Sequence, residues 1–484
     1  MVSGFLTLFI IWATWTIVYD IFFHPLSKFP GPLLGKITRI PFWVHGITGT
    51  QLHYMHALHE KYGNVVRFCP DELSYTDAQA WKDIYCYVKG QPENSKAPGF
   101  HLEIGTTPSM MVAPVEAHAR ARRIFSPGFS DRALKQQEPL FRRYTGFLMS
   151  KLHAFDGQPV DMTVMNNLAT FDIMAELTFG EPLGLLQHSK YTDWVKNCIE
   201  TLKVLPFVQM IQHYPTLTKL CGLLEPKWLS ESAKSHIKYT SDRVDRRLER
   251  GSNQPDLWNL VQNENNDQQL SRGEMHANAL IFMLAGTETT ATLLTSLIFL
   301  LLVNPDKLDA LKNEIRSQAI PAQDLTFETL AGFKYLNACI QEGLRVYPPV
   351  PVGIPRSISS NRDGGQMVCG QWLPSGTRAS VHPYAASHLT ANFKDPELFV
   401  PERWQGGDAY RNDCRDVSQP FSSGPRNCLG QNMAWHEMRM ILGTLVSEFD
   451  MELCAESREW GSNRKAYTTW EKVPLLVRLM PVDD

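Results

Sequence analysis

The stretch FSSGPRNCLG, residues 421–430, constrains the fold more than any other part of the sequence. Cys428 stands just before a helical pattern at 431–448, so the positive end of that helix favours a thiolate at its sulfur. Gly424 allows a turn that residues with side chains rarely adopt. Backbone N–H groups at the helix start can also hydrogen-bond the sulfur. These features predict a loop that presents a cysteine thiolate to a metal.

Two further residues of the loop suit a flat, anionic metal cofactor. Gly430 lets the backbone approach a macrocycle closely, and Arg426 can pair with one of its carboxylates. The simpler interpretation of a lone cysteine is a small buried hydrophobe. We apply it to the other eight cysteines, which are Cys69, Cys86, Cys198, Cys221, Cys339, Cys369, Cys414 and Cys454.

Composition excludes several classes of protein. The chain has 484 residues, of which 43% are hydrophobic and 20% charged, as in ordinary folded proteins. Its net charge of -3 gives no indication of a nucleic-acid partner. The cysteines are scattered and no C-x-x-C pair occurs, so a disulfide scaffold is excluded and reduced thiols in a cytosolic setting are expected.

The pattern F-x-x-G-x-R-x-C-x-G, from Phe421 to Gly430, resembles the haem-binding signature of the cytochrome P450 superfamily. The similarity extends over almost the whole chain, and the N-terminal and H-A-R-x-R-R stretches most resemble filamentous-fungal members. The resemblance implies haem b with an axial Cys428 thiolate, a ligand that favours O–O cleavage. Phe421, Arg426 and Gly430 are then cofactor-binding. The implied fold is mainly α with small β-sheets, with haem between a long central helix and the Cys-loop helix.

Residues 274–303 form the longest apolar helical pattern, which predicts a buried core helix. The alternative is a second transmembrane helix, against which the central Glu288 counts. Residues 285–290, AGTETT, resemble the oxygen-activation element of the family. Ala285 and Gly286 would then line the cofactor, while the Thr289 hydroxyl and the Glu288 acid relay protons. The alternative is a threonine-rich helix whose hydroxyls bond back to the carbonyls four residues earlier.

A second motif is predicted to be structural rather than catalytic. Glu342 and Arg345 share one helix face at i, i+3. They resemble the E-x-x-R pair of the family, and Pro401-Glu-Arg403-Trp resembles its downstream P-E-R-F element. The implied role is a buried Glu342–Arg345–Arg403 network behind the haem.

Three basic residues are candidates for the haem propionates. His118 and Arg122 share a helix face at i, i+4 and resemble the W-x-x-x-R element of the family, with His in place of Trp. Arg122 is expected to pair with a propionate, and His118 is a second candidate. Arg356 lies after the E-x-x-R helix, where the family often has another propionate-pairing arginine. The alternative for a basic helix face is solvation.

The sequence divides into three segments. Residues 1–23 are predicted to be a retained membrane anchor, because 5–23 is apolar except for threonines and Asp20 and no cleavage site follows. Residues 24–41 contain four prolines and predict an extended, stiff linker. Residues 42–484 form the haem-thiolate catalytic domain. Basic residues just after the anchor place this domain in the cytosol, on a single-pass anchor in the endoplasmic reticulum membrane.

The function implied is a monooxygenase that inserts one oxygen atom of O2 into an apolar small molecule in fungal secondary-metabolite biosynthesis. No flavin or nicotinamide fold is predicted, so electrons from NADPH would come through a separate NADPH–cytochrome reductase, with cytochrome b5 as an additional donor. Substrate contacts are expected in five stretches, which are 107–112, 205–214, 282–285, 350–354 and 468–469. The alternatives are a reductase-independent isomerase or dehydratase on the same fold, and a non-enzymatic haem-binding protein.

Overall fold

The computed structural model describes residues 2–100, 107–224, 227–250, 257–258, 269–360 and 364–482. Most of these residues are helical. The α-helices are α1 Val2–Val18, α2 Leu33–Ile37, α3 Ile40–Thr48, α4 Gln51–Tyr62, α5 Ala78–Tyr85, α6 Val115–Phe125, α7 Asp131–His153, α8 Met162–Phe179, α9 Leu185–His188, α10 Asp193–His213, α11 Pro215–Leu224, α12 Lys227–Arg250, α13 Arg272–Leu302, α14 Pro305–Arg316, α15 Phe327–Gly332, α16 Lys334–Val346, α17 Pro383–His388 and α18 Gln431–Glu448.

The strands are short and form three small sheets in the described part of the chain. Their bounds are β1 Val65–Cys69, β2 Glu72–Tyr75, β3 Ser95–Lys96, β4 Val160–Asp161, β5 Arg356–Ser357, β6 Gly365–Val368, β7 Gln371–Pro374, β8 Arg378–Val381, β9 Phe449–Leu453 and β10 Leu476–Pro481. The sheet orders are β1-β2-β8-β5-β3, β4-β10-β9 and β6-β7. The expected mainly α fold with small sheets is confirmed.

Helix α13 is the centre of the structure. It begins at a capping box, in which Ser271 Oγ accepts from the Glu274 N–H at 3.3 Å while the Glu274 carboxylate accepts from the Ser271 N–H at 2.8 Å. From there it packs along α8 and also against α16 and α18. Most of its length is buried inside the protein, which agrees with a core helix rather than a second transmembrane span.

The N-terminal segment differs from the expected linker. An apolar helical stretch, Gly4–Phe23, is long enough to cross a membrane, and none of its residues is buried in the protein. Residues 24–41 are not extended, because Leu33–Ile37 forms helix α2 and the side chains of Leu26 and Phe29 are buried. Burial of these apolar side chains against the body outweighs the preference of the intervening prolines for extended chain. Arg67 fixes this segment, because its N–H donates to the Pro30 carbonyl at 2.7 Å, and its guanidinium also donates to the Asp20 carbonyl of the preceding helix at 2.7 Å.

Candidate functional site

The Cys loop closes on itself around a required glycine. The Cys428 N–H donates to the Phe421 carbonyl at 2.8 Å, and the Asn427 N–H donates to the Gly424 carbonyl at 3.1 Å. Gly424 has φ +76°, and a Cβ there would lie 1.9 Å from the Tyr85 carbonyl oxygen. Only glycine fits this position, for reasons of both backbone conformation and space. Gly430 differs, because a Cβ there would meet its nearest protein atom at an ordinary 3.8 Å.

The Cys428 thiol has accessible surface, yet the protein around it desolvates it. Burial raises the pKa of Cys428, and the Gly430 N–H and the positive charge of Arg122 lower it only in part. Burial of the sulfur by the protein therefore outweighs the expected stabilisation of the thiolate by the helix end. Accessible surface and desolvation are compatible when a sulfur faces an internal space instead of bulk solvent.

One face of α13 is left partly uncovered by the described residues. Ala285 is exposed and Thr289 is partly exposed, although their neighbours Glu288 and Thr290 are buried. Residues four apart share a helix face, so Ala285 and Thr289 present the same side. The Thr289 hydroxyl donates to the Ala285 carbonyl at 2.7 Å, which is the back-bonded arrangement considered as the alternative.

The other two residues of the motif have different partners. Glu288 is buried, and its Oε2 lies 3.0 Å from the Lys472 Nζ, which also donates to the Thr292 hydroxyl at 2.9 Å. Gly286 lies against α8, where a Cβ would come within 2.7 Å of the Met174 sulfur. The glycine is thus needed for close helix packing. Lys472 was not predicted, because nothing in the sequence brings the C-terminal segment to the centre of α13.

A cluster of positive charge lies beside the loop. Strands β3 and β5 pair with Lys96 directly opposite Arg356, an unfavourable arrangement for two cations without a counter-ion. Arg356 is buried, and its Nε and Nη1 have no hydrogen-bond partner among the described residues. Burial lowers the pKa of Arg356 to about 10. Burial together with the charges of Arg426, Arg122, Lys96 and Arg356 lowers the pKa of His118 to about 4. The cluster is therefore suited to bind an anionic group.

Two of the predicted propionate partners also have protein partners. Arg426 is ion-paired with Glu93 and donates to the Ala113 carbonyl at 3.0 Å. Arg122 donates to the backbone carbonyl of Asn427 at 2.7 Å and to its side-chain oxygen at 2.5 Å. Arg122 thus holds the residue that precedes Cys428, and its pairing with a propionate stays a prediction. Lys96 is the member of this cluster that the sequence motifs did not indicate.

The structure brings Glu342, Arg345 and Arg403 together in a fully buried network. Arg345 donates from Nε and Nη2 to the two oxygens of Glu342 at 2.9 and 2.8 Å, and Arg403 Nε donates to Glu342 at 3.0 Å. Arg403 is also paired with Asp413. The Trp404 indole N–H donates to Glu342 at 2.8 Å. Trp404, which replaces the commoner Phe of the family motif, thus adds a hydrogen bond to the carboxylate.

Three of the five predicted substrate stretches meet at one cleft. It is lined by Phe42, Trp43, Gly46, Gln51, Phe100, Pro206, Gln209, Val352, Tyr467 and Thr468. Residues of 205–214, 350–354 and 468–469 are therefore neighbours. Phe282, from a fourth stretch, packs edge-on against Phe125 with ring centroids 4.8 Å apart and is part of the core.

Comparison with known proteins identifies the class. The family model described as Cytochrome P450 matches residues 25–477, so this chain belongs to the cytochrome P450 family, and it is a cytochrome P450 monooxygenase. It is 45% identical over 470 residues to cytochrome P450 monooxygenase FUM2 of Gibberella moniliformis, covering 95% of this chain and 99% of the relative. It is 41% identical to cytochrome P450 monooxygenase efuB of Hormonema carpetanum, covering 99% and 96%. It is 38% identical to averantin hydroxylase of Dothistroma septosporum, covering 98% and 90%.

The residues present fit the haem-thiolate that the family implies. Cys428 would supply the thiolate. The buried guanidinium of Arg356, whose Nε and Nη1 have no hydrogen-bond partner in the described part of the chain, would receive the carboxylates together with Lys96 and His118 beside it. Bound haem supplies the activation of dioxygen, with the thiolate as electron-donating ligand. The protein itself holds the loop in place through Arg122 and borders the reaction space with Ala285 and Thr289.

Proposed function

We propose that this protein is a membrane-anchored monooxygenase that inserts one oxygen atom of O2 into an apolar small molecule, by hydroxylation, epoxidation or multistep oxidation. The electrons come from NADPH through a separate reductase, and cytochrome b5 is an additional donor. The observation that carries the proposal is the Cys428 thiol, which is accessible yet desolvated at the start of α18. A thiolate ligand to the haem iron is expected in a protein that activates dioxygen and not in one that only carries haem.

The apolar substrate is supported by the position of the cleft. Its wall at Trp43 and Pro206 comes from α3 and α10, which pack against each other. The outer faces of the same two helices carry exposed apolar side chains, which are Ile40, Val44, Ile47, Val204 and Phe207. An exposed apolar patch of this kind suits contact with lipid. We therefore propose that the substrate reaches the cleft from the membrane.

Location and biological role follow from the same features. The apolar N-terminal helix supports a single-pass anchor in the endoplasmic reticulum membrane with the catalytic domain in the cytosol. The named relatives are fungal monooxygenases, and one of them is a hydroxylase of averantin. This supports a role in fungal secondary-metabolite biosynthesis.

The test is the absorption spectrum of the full-length protein in microsomes after reduction with dithionite and addition of CO. We expect the red-shifted Soret band of a thiolate-ligated haem, and we expect Cys428→Ala to lose it. Cys221→Ala, at an exposed cysteine, is the matched control and should keep the band. A histidine-type haem spectrum from folded wild-type protein would refute the proposal.

A second measurement separates the alternatives. Incorporation of labelled oxygen from O2 into product, dependent on NADPH and reductase, is expected for a monooxygenase. An isomerase or dehydratase would turn over without either, and a haem carrier would not turn over at all. The chain has both Glu288 and Thr289, the acid and the hydroxyl of the oxygen-activation motif. This favours the monooxygenase, because an isomerase, a dehydratase or a haem carrier does not need that pair.

A further inference from the structure

Two buried polar side chains line the cleft between α3 and α10 without a hydrogen-bond partner in the described part of the chain. Trp43, on α3, is 7% exposed, and its indole N–H donates to no described residue. Gln51, the first residue of α4, is 6% exposed, and its side-chain amide likewise makes no hydrogen bond there. Polar groups buried to this extent are costly unless they are paired, so their presence in a cleft needs an explanation.

The two groups border the same gap, where α3 meets α10. The ring of Trp43 packs against the ring of His213 with centroids 5.8 Å apart. Further along α3, a Cβ on Gly46 would lie 3.6 Å from the Cβ of Pro206 and 3.8 Å from the Nε2 of Gln51. Because Trp43 and Gly46 share a helix face at i, i+3, the indole and the amide are neighbours in this gap.

The backbone that carries Gln51 is fixed by the C-terminal segment. The Gly49 carbonyl accepts from the Ala466 N–H at 3.0 Å, and Thr50 forms a bridge with Ala466. A ring nitrogen of His45 lies 2.8 Å from the Thr50 hydroxyl. Polar groups on a backbone that is already ordered lose less freedom when a ligand binds to them.

The rest of the lining limits the chemistry of a ligand. Gln209, the other amide of the cleft, is engaged, because its Nε2 donates to the Phe100 carbonyl at 2.5 Å. None of the described residues that line the cleft is charged. A charged group of a ligand would be buried there without a counter-charge, at a high cost in free energy. The polar group that this cleft suits is therefore neutral.

We propose that Trp43 and Gln51 bind a neutral oxygen of the substrate, a hydroxyl or a carbonyl, in the gap between α3 and α10. This inference rests on the proposed monooxygenase function. The indole N–H donates to the oxygen, and the Gln51 amide donates to it or accepts from a hydroxyl. The substrate is then an apolar molecule that already carries an uncharged oxygen group, remote from the position to be oxidised. Trp43 and Gln51 determine specificity and do not take part in oxygen transfer.

The test uses the haem iron of the holoenzyme as a fixed anchor for probes of graded length. Imidazoles with an N-alkyl chain bind the iron through the free ring nitrogen and shift the Soret band, so titration of full-length protein in nanodiscs gives each Kd. The chains end in a methyl group, a hydroxyl, a methyl ketone or a carboxylate. We expect the hydroxyl or the ketone to bind about fivefold more tightly than the methyl, at the chain length that reaches the gap, as for one neutral hydrogen bond.

Two variants remove the polar atoms and keep the bulk of the side chains. Trp43→Phe and Gln51→Met should each reduce the gain from the oxygen and leave the Kd of the methyl-ended probe nearly unchanged. Comparing one probe between wild type and variant cancels its partition into the bilayer. Trp372→Phe, at a partly exposed position on β7, is the matched control and should keep the full gain. If one variant fails to fold, the other carries the test, because the two residues lie on different helices.

The outcomes separate the inference from the function. A wild type with a normal thiolate CO spectrum and no gain at any chain length would overturn the inference and leave the monooxygenase function standing. A gain that survives in both variants would overturn it too, since another group then binds the oxygen. Tighter binding of the carboxylate probe would contradict a neutral substrate group. A wild type without the thiolate CO spectrum refutes the proposed function, and the inference falls with it.

Discussion

Removing the negative charge of Glu342 should destabilise the protein strongly. Its carboxylate accepts five hydrogen bonds, of which two come from Arg345, one from Arg403, one from the Trp404 indole and one, at 2.9 Å, from the Val400 N–H. In Glu342→Gln an amide N–H2 replaces one oxygen and faces donors instead of accepting from them. Arg403 keeps Asp413 as a counter-charge, but Arg345 is left with backbone carbonyls alone.

The magnitude follows from burial. All three charged side chains of the network are fully buried, and breaking a buried pair from one side costs about 3–5 kcal/mol. Because a folded domain is stable by only about 5–15 kcal/mol, this loss is a large part of the total. The control is Glu200→Gln, which removes an exposed helix pair with Lys203 at 3.4 Å and should cost about 0.5 kcal/mol or less.

The assay is urea unfolding of the full-length protein in detergent, followed by tryptophan fluorescence and by the haem Soret band. Adding Arg345→Met to Glu342→Gln should recover part of the loss, because an uncharged side chain removes the uncompensated buried cation. A loss below about 1 kcal/mol for Glu342→Gln, at an unchanged denaturant slope, would refute the reasoning.

Three other predictions rest on single features of the structure. Gly424→Ala should abolish the thiolate CO spectrum, because its Cβ would lie 1.9 Å from the Tyr85 carbonyl at a φ of +76°, and a normal spectrum would contradict this. Burial lowers the pKa values of His382 and His388 to about 3 from 6.5, so their contribution to stability is complete above pH 6.5 and is lost as the pH falls. Urea titrations at about pH 7.5 and pH 5 should differ by about 2 kcal/mol per histidine, and equal stabilities would count against it. Arg356→Met should lower the haem retained per protein without loss of folded protein, because it removes a buried cation whose Nε and Nη1 lack partners in the described structure; undiminished haem content would exclude a propionate role.

The linker illustrates where local patterns fail. Four prolines between residues 24 and 41 correctly indicated that no single helix continues through the segment, but they carried no information about what lies beside it. Burial of Leu26 and Phe29, together with the hydrogen bond from the Arg67 N–H to the Pro30 carbonyl, holds the segment against the body. Such contacts join residues far apart in the sequence, so the hydropathy pattern of the segment does not reveal them.

The sequence by itself determined the family, the central helix and the E-x-x-R network and predicted the Cys428 ligand, because each depends on spacing within one loop or one helix. The α13 helix at Arg272–Leu302 and the α18 helix at Gln431–Glu448 lie close to their predicted positions for the same reason. Only the tertiary structure decided the partners of the buried charges. It placed Lys472 beside Glu288 and set Lys96 opposite Arg356. The pKa and role of an ionisable group are set by what surrounds it in space, and chain folding alone determines those surroundings.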